Sequence, residues 1–100
     1  MPNEKGSRKE RQTKALYVEA GYYVSKAGGS LGAADLVCLK AGEPPVLAQV
    51  KATAAGPWSH FGPAERAELV EVAAKAGAVA VLVWWAQRKP PQYIAPADWP

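Results

Sequence analysis

The sequence predicts an α/β fold, a short mixed β-sheet of about four to five strands flanked by two helices. Three observations carry this. An alternating run over 46–53, a helical repeat over 63–76 and a continuous apolar run over 78–85 follow one another. That is the order of a βαβ unit, which makes its two strands parallel. An apolar run at 36–39 is separated from the 46–53 run by a Gly-Glu-Pro-Pro turn, so those two strands pair. A charged helical segment near the start provides a second helix for the layer.

The elements follow in order. From Ser7 to Ala20 the pattern is helical, with Ser7 and Glu10 spaced as a capping box and Gly21 as the stop. Tyr22 to Lys26 reads as a strand, and the Gly/Ser stretch from Ala27 to Gly32 as a loop. Leu36 to Leu39 is apolar throughout, as in a strand covered on both faces. In the next strand Val46, Ala48, Val50 and Ala52 share one face, and Leu47, Gln49, Lys51 and Thr53 the other. Residues 54–62 form a loop. Pro63 suits a first helical position, and Leu69, Val72, Ala73 and Ala76 mark the buried stripe of a helix ending at Gly77. Ala78 to Trp85 reads as a central strand. After a turn, Tyr93-Ile94 reads as a short edge strand.

One hundred residues, 49% of them hydrophobic, predict one domain over 1–100 with a modest core and a flexible basic stretch at 1–5. The single cysteine, Cys38, excludes an internal disulfide framework and suits a reducing compartment. No stretch is apolar for the length of a bilayer, and the first residues are polar, so the expectation is a cytoplasmic protein with no membrane partner. The net charge of +3 is unevenly placed. Residues 1–14 carry five bases and two acids, whereas residues 15–100 carry seven of each. A basic end on a neutral domain is an electrostatic footprint for phosphate, and equally the composition of a solvated, poorly ordered terminus.

Asp35 stands at the start of the 36–39 strand, and the period of two puts Gln49 and Lys51 on one face of the next. Pairing of the two strands brings all three to one edge of the sheet. A carboxylate and an amide carbonyl are hard oxygen ligands that suit Mg²⁺. A lysine beside them orients water or stabilises charge on a phosphate in transfer. Read alone, the spacing is weak and is better taken as that of a solvated strand end.

The motifs "KGSRKER", "AGYYVSKAGGS", "ADLVCL", "LAQVKAT" and "GPAERAELVEVAAKAGAVAVLVWW" occur in an order that resembles the archaeal-type Holliday junction resolvases of the PD-(D/E)xK nuclease superfamily. The resemblance runs from Gly6 to about Tyr93. It implies a restriction-endonuclease-like fold and a metal-dependent, structure-selective endonuclease of DNA recombination and repair. Such an enzyme hydrolyses phosphodiesters in four-way junctions or other branched DNA and acts as a homodimer.

Carried over by position, the resemblance implies that Glu10 and Asp35 bind the metal and that Lys51 is the catalytic lysine. It implies further ligation by the Gln49 carbonyl and the backbone carbonyl of Val50. Gln49 stands where glutamate is more usual, and Ala34 replaces the proline of the superfamily's name. Ser30 matches a loop serine near the scissile bond. The implied cofactor is Mg²⁺, with Mn²⁺ able to substitute. Lys5, Arg8, Lys9, Arg11 and Lys26 are the expected DNA contacts, and Trp58, Phe61, Trp84 and Trp85 the expected interface aromatics. Two other readings follow from the glutamine and from the breadth of the superfamily. One is a related small nuclease with another DNA substrate. The other is a non-catalytic junction-binding protein with a degenerate site.

Overall fold

The computed structural model describes residues 4–27 and 32–100. In order it has α1 (Glu4–Glu19), β1 (Tyr23–Lys26), β2 (Leu36–Leu39), β3 (Val46–Ala52), α2 (Pro63–Ala76), β4 (Val79–Trp85), β5 (Gln92–Ile94) and a 3-10 turn at Pro96–Asp98. One five-stranded sheet has the order β1-β2-β3-β4-β5, so every strand lies beside its neighbour in sequence. β1, β2 and β3 form an antiparallel meander, β3 and β4 are parallel, and β5 closes the far edge antiparallel to β4. The parallel step is the one that α2 bridges. β4 is interior, as its composition predicts, but the middle of the five is β3.

The sheet buries different side chains on its two faces. Val24, Leu36, Cys38, Ala48, Val50, Val81, Val83 and Trp85 form one cluster, with Tyr17 of α1 against it. Leu47, Leu82, Ala80 and Ala34 form the other with Leu69 and Ala73 of α2. Period-two alternation along β3 therefore sends Leu47, Gln49 and Lys51 toward the α2 side, and Ala48 and Val50 toward the α1 side.

The structure bears on three expectations. Helix α1 begins at Glu4, so Ser7 lies inside it and cannot form a capping box with Glu10. Residues 4 and 5 are helical, and the rest of the expected flexible stretch, 1–3, falls outside the described residues. The aromatics assigned to an interface are engaged within the chain. Phe61 is fully buried, 5.2 Å from the Trp99 ring and stacked on Trp58, while Trp85 is 8% exposed. Trp84 donates through Nε1 to the Thr53 hydroxyl and carbonyl. A loop that inserts Phe61 under α2 is held by Arg66, which donates to the Phe61 carbonyl at 2.6 Å.

One buried polar contact sets where α1 lies. Thr13 is fully buried; its hydroxyl donates to the Lys9 carbonyl and accepts from Trp85 Nε1 at 2.9 Å. Every polar atom of the pair is thus satisfied, which makes the contact specific rather than costly. Lys9 Nζ lies 4.4 Å from the centre of the Trp85 ring. These contacts join the middle of α1 to the end of β4, within one helical turn of Glu10.

Candidate active site

The register of β2 on β3 ends with Leu36 opposite Ala48, which brings Asp35 close to the level of Gln49. The ladder is extended by Asp35 N–H donating to the Ala48 carbonyl at 2.8 Å and Ala27 N–H donating to the Asp35 carbonyl at 2.9 Å. Backbone pairing on both sides fixes the Asp35 main chain. Its side chain is fixed by Val50 N–H, which donates to Asp35 Oδ2 at 2.8 Å.

Burial raises the Asp35 pKa, the Val50 N–H bond opposes this, Glu10 adds to the rise, and Lys51 and Lys26 oppose it. The four charged groups named by the sequence motifs therefore act on one another. Glu10 reaches the site from α1, where its carboxylate is 3.5 Å from Lys26 Nζ. Lys26 is the link, lying beside both Glu10 and the cavity that contains Asp35 and Gln49.

Gln49 is 5% exposed. Its amide nitrogen donates to the Ala33 carbonyl, and its oxygen accepts from Lys51 Nζ at 3.2 Å. This assignment follows from the hydrogen-bond network, since the reverse would set oxygen against oxygen. Gln49 thus ties the segment before Asp35 to β3 and orients Lys51. A glutamate here would lack the donor for Ala33.

Two openings flank Asp35. One, of ≈ 260 Å³, is lined by Ser7, Glu10, Arg11, Lys14, Lys26 and Leu36. The other, of ≈ 340 Å³, is lined by Lys26, Gly32 to Asp35, Gln49 and Glu65. The second has room for several waters at about 30 Å³ each. The first is basic around a single acid, the character of a phosphate groove.

The structure therefore brings together Glu10, Asp35, Gln49 and Lys51, with Lys26 and Arg11 beside them. Arg8 is exposed on α1, while Lys9 is half-buried against Trp85. Ser30 and the side chain of Lys5 lie outside the described residues. Glu65 and Lys14 border the site and were not signalled by the motifs. Among the described residues no three His, Cys, Asp or Glu side chains gather closely enough to hold an ion by themselves. The available donors are instead mixed oxygens: two carboxylates, an amide carbonyl and the Val50 carbonyl. That set fits a hard cation that keeps part of its water shell.

A family model described as the archaeal Holliday junction resolvase (Hjc) matches residues 1–99. The solved structure of Hjc from Archaeoglobus fulgidus, a Holliday junction resolvase from an archaeal hyperthermophile, is similar with a TM-score of 0.81 and 23% identity. The match covers 94% of this chain and 75% of that one. Among curated proteins, none matches. At this identity the structural likeness speaks for the fold, and the family model for the family.

Proposed function

Because the chain belongs to the archaeal Holliday junction resolvase family, endonucleases that cleave four-way DNA junctions, we propose that Glu10, Asp35, Gln49 and Lys51 form its active site. The observation that carries the assignment is the Asp35 carboxylate, anchored by Val50 N–H and acted on at once by Glu10, Lys51 and Lys26.

Asp35, Glu10, the Gln49 oxygen and the Val50 carbonyl would hold Mg²⁺, for which Mn²⁺ would substitute. When bound, the ion supplies Lewis-acid stabilisation of the phosphate and of the attacking water. The chain's own residues do the rest. Lys51, held by Gln49, stabilises charge on the scissile phosphate. Arg11 and Lys26 position the adjacent backbone. Arg8 extends the phosphate track along α1, whereas Lys9 is held against Trp85; Lys5 and Ser30 are the further contacts that the family resemblance implies. Such contacts give salt-sensitive binding with little base readout.

The four-way junction is approximately two-fold symmetric, and a homodimer presents two such sites to its two scissile strands. Val70 of α2 and Val79 of β4 border an open apolar strip with Ala74 and Pro96, a surface suited to a second copy. A cytoplasmic location completes the reading.

The direct test is cleavage of a labelled four-way junction beside its matching linear duplex, with Mg²⁺ and with EDTA. Paired, ligatable nicks in the junction alone, lost in EDTA, are the expected result. Preference for linear duplex would assign another nuclease substrate. Tight binding without cleavage under Mg²⁺ and Mn²⁺ would mean that the site is degenerate.

Gln49→Glu separates metal binding from folding. The new carboxylate should preserve or raise Mg²⁺-dependent cleavage. Without metal it meets the Ala33 carbonyl with no proton to donate, at a cost of about 1–3 kcal/mol. Thermal melts with and without Mg²⁺ should therefore show a larger metal-induced gain for the variant than for the wild type.

A further inference from the structure

Glu10 approaches Asp35 from α1, which covers the opposite face of the sheet from the one carrying Gln49 and Lys51. The face of Gln49 and Lys51 is covered by α2, whose first turn carries a single acid, Glu65. Glu65 and Asp35 are the two carboxylates lining the cavity into which Gln49 faces. Among the described residues no hydrogen bond or ion pair engages the Glu65 carboxylate, and the residue is exposed. Its neighbour Glu68 lies instead against Gly32, where an added Cβ would meet the Glu68 carboxylate at 2.7 Å.

Gln49 is already occupied. Its nitrogen is committed to Ala33 and one side of its oxygen to Lys51. Its oxygen keeps one lone pair for a cation, but the amide brings no charge. Yet the cavity wall on that side carries a carboxylate on a rigid element, with Pro63 at the helix start and Arg66 bonded to the preceding loop.

We propose that Glu65 supplies the negative charge that Gln49 lacks, acting across this cavity through the waters that the divalent ion retains. The proposal rests on the reading of Asp35 and its neighbours as the metal site. A water-mediated carboxylate is natural for Mg²⁺, which sheds its water reluctantly. Partners beyond the direct ligands are worth roughly 10–100-fold in metal affinity. Glu65 would be a positioning residue of the site, and its second role, as an acid in the first turn of a helix, touches folding alone.

The test is Mn²⁺ binding to the full chain without DNA, followed by electron paramagnetic resonance of the free ion. Variants are Glu65→Gln, Gln49→Glu, the pair combined, and Asp35→Asn. Glu65→Gln should weaken Mn²⁺ binding about tenfold or more. Adding Gln49→Glu should restore it, since the acid returns on β3. A Glu65→Gln variant that binds Mn²⁺ as the wild type does, while Asp35→Asn does not, overturns this inference and leaves the metal site standing. A weakened Glu65→Gln that Gln49→Glu fails to rescue overturns the exchange of charge between the two positions. Binding that is absent, or that is unaffected by Asp35→Asn, overturns the metal-site reading and this inference together.

Discussion

Asp35→Asn is expected to abolish Mg²⁺-dependent junction cleavage, by about a thousandfold or more, while leaving the metal-free protein at least as stable at pH 7. The first half follows from the loss of a proposed charged ligand, since a bound cation supplies several kcal/mol of transition-state stabilisation and about 1.4 kcal/mol is tenfold in rate. The second half follows from the local geometry. Asn Oδ1 can accept the Val50 N–H bond that Asp35 Oδ2 now accepts. The backbone bonds from Asp35 to Ala48 and from Ala27 to Asp35 are untouched.

What the substitution removes is a partly buried charge whose burial, reinforced by Glu10, outweighs the Val50 bond and the two lysines. A carboxyl whose folded pKa is raised binds its proton more tightly in the folded state. It therefore lowers stability at pH above its folded value, and the cost fades as pH falls through that value toward the ordinary 3.8. Wild type should be the less stable protein at neutral pH without metal, and the gap to Asp35→Asn should close on acidification. Melting curves between pH 4 and 8 with EDTA check the sign. A variant that still cleaves would remove Asp35 from the site, and one that melts lower at pH 7 would refute the cost of its burial.

The parts of this site that were legible in the sequence are those that depend on short separations. Period two put Gln49 and Lys51 on one face, and a tight turn between adjacent strands brought Asp35 close to their level. The parallel pairing of β3 and β4 followed from a helix between them. What composition and spacing left dark depends on contacts across the fold. Nothing local marks Thr13 as the buried partner of Trp85, 72 residues away. Nor does a loop sequence tell that Phe61 fills the core while its aromatic neighbours close over it. The start of α1 at Glu4 was hidden because the Ser7-to-Glu10 spacing is a good cap that a longer helix simply runs through. Glu65 is the clearest case. It reads as an ordinary first-turn acid until the packing of α2 on the face of Gln49 places it beside the cavity.

Lys51→Ala tests the chemistry rather than the scaffold. Lys51 is half-buried, and its Nζ is 3.2 Å from the Gln49 oxygen. Removing it should lower the cleavage rate by about 10²–10³-fold, the cost of losing one preorganised charge-stabilising donor. Junction affinity should change little, because the proposed phosphate contacts at Arg8, Arg11 and Lys26 are left intact. Lys51→Arg should rescue poorly, since a planar guanidinium cannot replace a compact ammonium at a site shaped by one hydrogen bond. The loss should also depend on pH. Lys51 holds the raised Asp35 pKa down, so without it Asp35 binds its proton at higher pH and the acid limb of the rate profile moves upward. Single-turnover rates against pH, beside binding measured in Ca²⁺, separate these effects. A parallel fall in affinity and rate would make Lys51 one more phosphate contact. A fall in rate alone, with the acid limb displaced, is what a lysine that acts on both the phosphate and the Asp35 carboxylate must produce.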